Sequence, residues 1–308
     1  MRRSAADPAL KYRSVEKNYG PVHALSGIEL EIPQGELFGI VGPDGAGKST
    51  MMRLAMGLIR ADRGEVRLLS GDPRSTRTSA GYVPQRFSLY PNLTVEENLR
   101  LYGAIYGTDP TEIERRSRES LEKMELWKFR ERLTGNLSGG MKQKLALAVG
   151  MIHKPVALLL DEPTTGVDPL ARREFWAMLY ELHSQGVTII VSTPYMDEAE
   201  LCADLIFLNK GGILMRGSPG EMVKRYRHSL LDVAAPSRDA GEIILGVKGV
   251  LGVNLFGTRY HVETDDAEAA SAAIGNALED AGFPSVPIEK ISPSLEDIFV
   301  SFASERES

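Results

Sequence analysis

Cysteine is almost missing: Cys202 is the only one among 308 residues. No internal disulfide can staple the fold, and a reducing, cytoplasmic compartment is expected. Long hydrophobic runs are missing too. The best ones, Val156 to Leu160 and Val187 to Val191, are the size of buried strands and far short of the roughly 20 residues a membrane-spanning helix needs. The chain is not expected to form a membrane channel by itself. After Met1-Arg2-Arg3 comes Ser4-Ala5-Ala6-Asp7-Pro8, where a secretory signal would be apolar, so no export is expected. Internal repeats, low-complexity tracts and heptads are absent, which argues against a structural rod. Basic excess is lacking as well: 36 basic residues face 42 acidic ones, a net charge of -6. A nucleic-acid partner is therefore not expected, because neutralising phosphates calls for a basic surface.

What remains is an ordinary globular composition, 43% hydrophobic and 25% charged, which excludes disordered, collagenous and disulfide-scaffold chains. The length suggests about two domains. Charge is distributed unevenly. Residues 228 to 308 carry 5 basic and 14 acidic side chains, a net of -9, which leaves +3 on residues 1 to 227. This asymmetry places a boundary near residue 227, giving domains 1-227 and 228-308.

Residues 10 to 41 read as short strands, ending in the apolar run Leu37 to Val41 before a glycine-rich turn, and a helix is predicted from Lys48 to about Leu58. The apolar runs at 156 to 160 and 187 to 191 flank a helical pattern from about Leu170 to His183. Strands buried on both faces and alternating with helices predict an α/β fold with a parallel sheet. Residues 94 to 136 read as helical, opening with Thr94-Val95-Glu96-Glu97, which fits a capping box. Residues 110 to 132 mix 7 basic with 6 acidic side chains, either a solvated face or a charged docking surface. Beyond 227 the pattern predicts strand 229-234, helix 238-246, strands 250-255 and 259-264, helix 266-280, strand 286-291 and a last helix from Ser294 to about Ala303. That order suggests a small α+β, ferredoxin-like domain.

Gly42-Pro43-Asp44-Gly45-Ala46-Gly47-Lys48-Ser49 fits G-x-x-x-x-G-K-[ST], after a buried strand and at the start of a helix. Its glycines let backbone N–H groups approach phosphates. Lys48 reaches the β- and γ-phosphates, the Ser49 hydroxyl is offered to Mg²⁺, and the helix N-terminus adds positive potential; Thr50 completes the expected nucleotide contacts. Asp161 and Glu162 end the apolar strand, at the carboxyl edge where parallel sheets bind ligands. Asp161 is expected to hold Mg²⁺ through its water shell and Glu162 to polarise the attacking water. Leu137-Ser138-Gly139-Gly140-Met141-Lys142-Gln143 opens a second helix, running to about His153, with small residues that expose N–H groups and a hydroxyl to an anion.

The phosphate loop, then Leu-Ser-Gly-Gly, then Leu158-Leu159-Leu160-Asp161-Glu162-Pro163 resembles the nucleotide-binding subunit of ABC transporters, over residues 10 to 227. The resemblance implies a P-loop ATPase fold with a helical subdomain at about 86-152. It also implies a head-to-tail pair in which each ATP lies between the phosphate loop of one subunit and Ser138, Gly139 and Gly140 of the other. Tyr19 matches the aromatic that stacks on adenine, Gln85 the glutamine that touches Mg²⁺ and reports nucleotide state, and Asp168 the loop that communicates across the dimer. Alone, Tyr19 reads as core or surface packing, and Gln85 and Asp168 read equally as ordinary turn residues. Residues Phe87-Ser88-Leu89-Tyr90-Pro91 are either core or part of the groove that takes a helix of the membrane subunit. The segment from Pro293 to Val300 resembles the tail of the drug- and polysaccharide-exporter branch.

Two positions depart from the family pattern. Where a histidine usually contacts the γ-phosphate, Ser192-Thr193 is followed by Pro194, which donates no hydrogen bond; Thr193 is expected to cap, and Pro194 to open, the next helix. Losing such a contact costs about 1.5–3 kcal/mol, on the order of ten- to a hundredfold in rate. Asp44 replaces a neutral residue inside the phosphate loop and costs affinity unless it points outward or pairs across the dimer. The resemblance implies an ATPase with ATP and Mg²⁺, powering an exporter through an integral membrane permease and a second nucleotide-binding subunit, in a homodimer or a heterodimer, peripheral on the inner face of the cell membrane. The rivals are a soluble ABC ATPase and an ATP-dependent interaction module with little turnover.

Overall fold

A computed structural model describes residues 7–86, 88–235, 237, 239–283 and 286–305. The chain divides into two compact units, Met1–Arg216 and Gly217–Ser308. This division falls before the charge-based boundary, because the short basic-ended helix α8 (Pro219–Arg225) groups with the second unit. Charge asymmetry cannot register a helix ending in Lys224 and Arg225 as part of an acidic domain.

In the first unit, β1 (Leu10–Tyr19) and β2 (Val22–Ile32) are followed by β3 (Leu37–Val41), α1 (Lys48–Ala55), β4 (Arg63–Leu68), α2 (Pro73–Thr76) and β5 (Ala80–Val83). Then come α3 (Val95–Ile105), α4 (Pro110–Lys123), α5 (Gly139–Met151), β6 (Ala157–Asp161), α6 (Pro169–Ser184), β7 (Thr188–Thr193), α7 (Met196–Ala199), β8 (Asp204–Asn209) and β9 (Gly212–Gly217). The main sheet has the order β5-β6-β7-β3-β8-β9. Its central pairs, from β5 to β8, are parallel, and β3, β6 and β7 are buried along their whole length, as their unbroken apolar sequences require.

The expectation of short strands over residues 10 to 41 is corrected by β1 and β2, which run for 10 and 11 residues. They join β4 in a separate antiparallel sheet, β2-β1-β4. Buried residues of that sheet (Leu10, Tyr12, Ile28, Ile32), of α1 (Met51, Met52) and of the parallel sheet (Ile40, Leu159, Ile190) form one core. Helix α1 is thereby tied to both sheets. The Tyr12 hydroxyl donates to the Met51 carbonyl at 2.8 Å, and burial drives the phenol's pKa far above its ordinary value.

Helices α3, α4 and α5 lie between β5 and β6 in the chain. The Thr94 capping box is formed in both directions: Thr94 Oγ1 accepts from Glu97 N at 3.1 Å, and Glu97 Oε2 accepts from Thr94 N at 2.7 Å. The charged stretch is largely a self-paired face. Arg115 bonds Glu112 and Glu119, Arg116 bonds Glu112, and Arg118 bonds Glu122, all within α4. Fully buried Asn98 of α3 fixes the preceding loop. Its amide nitrogen donates to the carbonyls of Tyr90 and Thr94 at 3.1 and 2.9 Å, and its oxygen accepts from Tyr90 N at 3.0 Å.

The second unit adds β10 (Ser229–Val233), α9 (Asp239–Leu245), β11 (Val250–Phe256), β12 (Arg259–Thr264), α10 (Ala267–Asp280), β13 (Ile288–Ile291) and α11 (Leu295–Glu305). The strands pair antiparallel in the order β11-β12-β10-β13, a split β-α-β arrangement. Leu231, Val233 and Val262 pack with Ile244 of α9 and with Ile274 and Leu278 of α10. Alternate residues of β12 bond α11 instead: His261 Nδ1 lies 2.6 Å from Asp297 Oδ1, and Ser301 Oγ donates to Glu263 at 2.9 Å.

Candidate nucleotide-binding site

The turn after β3 is built so tightly that two of its glycines are obligatory. A Cβ on Gly42 would sit 2.1 Å from the Leu208 carbonyl oxygen of β8, and Gly47, at φ +110°, would drive a Cβ to 2.6 Å from the Ala24 carbonyl oxygen. Gly42→Ala is expected to destabilise the first unit by about 1–3 kcal/mol through overpacking, read as a lower denaturant midpoint; an unchanged midpoint would contradict this packing. The loop's backbone is braced by Gly42 N donating to the Thr193 carbonyl at 3.2 Å and Gly211 N donating to the Ala46 carbonyl at 3.0 Å. Its open side carries Pro43, Asp44 and Gly45, all exposed. Thr50, in the first turn of α1, is buried beneath.

Lys48 is only 3% exposed. Its ammonium donates to the carbonyls of Gly42 at 2.7 Å and Pro43 at 2.9 Å and lies 3.0 Å from Glu162 Oε1. Glu162, 5% exposed, also accepts from Gln85 Nε2 at 2.7 Å and from Thr165 Oγ1 at 3.4 Å. Its backbone is left-handed, φ 47°, a conformation costing on the order of 1–3 kcal/mol in a non-glycine residue. That strain is held by Ser192 of β7, because Glu162 N donates to the Ser192 carbonyl at 3.1 Å and to Oγ at 3.0 Å. Asp161, paired in register with Ser192, accepts from Ser192 Oγ at 2.6 Å and from Ser49 Oγ at 3.1 Å. The neighbouring Tyr82 phenol is pushed up to about 12 by burial first and by the Asp161 charge second.

The fold thus brings Lys48, Ser49, Gln85, Asp161 and Glu162 together from α1, β6 and the segment after β5. A serine hydroxyl, a carboxylate and an amide are hard oxygen donors of the kind Mg²⁺ prefers when substrate phosphates complete its shell. No trio of His, Cys, Asp or Glu converges to hold a metal among the described residues.

The remaining expected residues lie apart from this cluster. Tyr19 ends β1 with 45% of its surface exposed and the Lys17 ammonium 5.6 Å from its ring centre. Ser138 caps α5, its Oγ accepting from Met141 N at 3.4 Å. Ser138 and Gly139 are exposed, while a Cβ on Gly140 would meet Ala171 Cβ at 3.0 Å. Asp168 caps α6, accepting from the N–H groups of Leu170 and Ala171 at 3.1 and 3.0 Å. In the segment after Gln85, Phe87 lies outside the described residues, Leu89 is buried in the core, and Tyr90 is 51% exposed with its ring 6.3 Å from that of Tyr102.

Two sequence expectations change here. Thr193 does not cap α7, and Pro194 does not open it: extended Tyr195 (φ -93°, ψ 124°) is the N-cap residue. Thr193 Oγ1 instead donates to Glu198 Oε2 at 2.5 Å and accepts from Tyr195 N at 3.1 Å. Ser192 bonds both Asp161 and Glu162, a role that arises from the β6–β7 register, of which a single sequence carries no signal.

A family model described as ABC transporter matches residues 25–165. Over 305 residues the chain is 31% identical to the daunorubicin resistance ATP-binding protein DrrA3 of Streptomyces coeruleorubidus, covering 96% of both chains. Over 303 residues it is 35% identical to the probable multidrug ABC transporter ATP-binding protein YbhF of Escherichia coli (strain K12), with 96% of this chain matched but only 52% of that protein's length. The chain thus spans about half of YbhF. Among solved structures, the dimeric ATP-binding cassette MJ0796 in a post-hydrolysis state with ADP and Pi covers 68% of this chain and 98% of its own, at a TM-score of 0.63 and 29% identity. The phosphate loop, the Asp161–Glu162 edge and these likenesses together establish that the chain belongs to the family of ABC transporter ATP-binding proteins.

Proposed function

We propose that this chain is the ATP-binding and ATP-hydrolysing subunit of an export-type ABC transporter, working as a head-to-tail dimer on a separate integral membrane permease at the inner face of the cell membrane. The observation that carries the reading is the convergence of Lys48, Ser49, Gln85, Asp161 and Glu162 on one sheet edge. No helix among the described residues is long and apolar enough to cross a membrane.

Chemically, the buried Lys48–Glu162 pair is a poised exchange. An entering triphosphate competes for the ammonium of Lys48, and the carboxylate it leaves is free to accept a proton from water. Mg²⁺, held by Ser49 and Asp161 with Gln85 beside them, would neutralise the phosphate charge. Ser192 keeps Asp161 and Glu162 aimed. The α5 N-terminus, with Ser138 and Gly139 exposed, offers N–H groups to a phosphate on a facing copy, and Tyr19 offers an exposed ring to a base. Pro194 removes a donor, so turnover is expected to be slow rather than absent. The names of DrrA3 and YbhF, resistance and multidrug, support an exporter reading.

Light scattering tests the composite site. Glu162→Gln with Mg·ATP is expected to sediment and scatter as a dimer, and with ADP as a monomer. Adding Ser138→Arg is expected to abolish the dimer while ATP still binds. A dimer that survives Ser138→Arg would overturn the head-to-tail arrangement.

A further inference from the structure

Glu198 is an acid with no place in the nucleotide chemistry, yet it is 1% exposed and fully engaged. One carboxylate oxygen accepts from Thr164 Oγ1. The other accepts from Thr193 Oγ1 at 2.5 Å. The Arg172 guanidinium of α6 supplies the countercharge, with Nε 3.4 Å from Glu198 Oε1. Arg172 is itself held by Asp197 Oδ2 at 3.3 Å and by the face of Tyr195, 4.3 Å from its ring centre. An isolated carboxylate this deeply buried would be costly, and two hydroxyls with a guanidinium are what makes it tolerable.

The two threonines sit where small displacements matter. Thr164 lies two residues after Glu162, in the strained turn that is also tied by Thr165 N donating to the Glu162 carbonyl at 3.3 Å, by Val167 N donating to the Thr164 carbonyl at 3.1 Å and by Thr165 Oγ1 donating to the Glu162 carboxylate at 3.4 Å. Thr193 lies one residue after Ser192 and gives its carbonyl to Gly42 N of the phosphate loop. The two segments meet at a single side chain. We propose that Glu198 is a positioning residue: its carboxylate locks the turn after Glu162 to the end of β7, so that the general base and the phosphate loop keep a fixed separation. The inference rests on the ATPase reading for its kinetic consequence, but not for the brace itself. It also gives the end of β7 a rigid anchor next to Pro194.

The brace predicts a divided kinetic effect. Phosphate contacts come from the loop and Lys48, which Glu198 does not touch, so KM for ATP is expected to change less than about twofold. Placement of Glu162 is expected to suffer, lowering kcat about tenfold in Glu198→Gln, where an amide replaces one hydroxyl acceptor by a donor and Arg172 loses one of its two carboxylate partners, keeping Asp197. Thr164→Val is expected to show the same split and Thr164→Ser to restore wild-type kcat. Combining Glu198→Gln with Thr164→Val is expected to cost little more than either alone, because both break one contact. Hydrogen exchange in the absence of nucleotide reads the brace independently of turnover. The amides of Thr165 and Val167 are expected to exchange at least about fivefold faster in Glu198→Gln, with β6 and the part of β7 from Thr188 to Val191 unchanged. Wild-type kcat in Glu198→Gln, failure of Thr164→Ser to rescue, or unchanged exchange at Thr165 and Val167 would each overturn the proposal. If wild type does not hydrolyse ATP but the exchange difference appears, the ATPase reading falls and the brace stands.

Discussion

Replacing Glu162 by glutamine is expected to lower Mg·ATP hydrolysis about 10²–10⁴-fold while leaving nucleotide affinity within about threefold. The size follows from the role: general-base catalysis contributes in that range, and glutamine keeps the shape and the bond to Gln85 but cannot take a proton. Affinity is expected to hold because Lys48 and the loop amides, the groups proposed to face the phosphates, are not themselves substituted. The variant also removes one charge of a buried pair, with Lys48 Nζ 3.0 Å from Glu162 Oε1. Lys48 still has the carbonyls of Gly42 and Pro43 to donate to, so the fold is expected to hold. Steady-state phosphate release beside a nucleotide-binding titration checks both halves. Hydrolysis within tenfold of wild type would move the base elsewhere.

Lys48→Ala has the second large effect, on two properties at once. Losing a charge-assisted phosphate contact is worth about 1.5–3 kcal/mol, so ATP affinity is expected to fall on the order of ten- to a hundredfold. Glu162 is left buried without its cation. Breaking one side of a buried pair costs about 3–5 kcal/mol, and the low end applies because Gln85 and Thr165 still donate to the carboxylate. Lys48→Ala with Glu162→Gln is therefore expected to recover much of the lost stability and none of the lost affinity. Denaturant unfolding and a binding titration on the single and double variants separate the terms. A double variant no more stable than Lys48→Ala would show that Glu162 left without its cation carries no stability penalty.

The parts of this site that lie in short contiguous motifs were legible in the sequence. A buried strand ending in a glycine-rich turn announces the phosphate loop whatever lies around it, and the apolar strand ending in Asp161 and Glu162 does the same for the acidic edge. The order of elements after residue 227 was readable because each strand and helix there has its own period. What sequence could not carry is register and remote pairing. Ser192 matters because it sits opposite Asp161 across a parallel pair. Glu198 matters because Thr164 and Thr193, 34 and 5 residues away in the chain, arrive at its two oxygens. The long strands β1 and β2 were read too short because bulges break their alternation, with register shifts between Tyr12 and Val15 and again near Lys17. At Pro194 the capping rule named the wrong residue, since Thr193 spends its hydroxyl on buried Glu198 rather than on a helix N-terminus.

Steady-state Mg·ATP hydrolysis by the purified protein across a wide range of concentration tests most directly the proposal that two copies of this chain build a composite ATPase around the Lys48–Glu162 edge. A composite site gives a rate per chain that rises with concentration towards a plateau, as pairs form, and that disappears in Glu162→Gln. A rate per chain independent of concentration, or no turnover at any concentration with ATP bound, would contradict it.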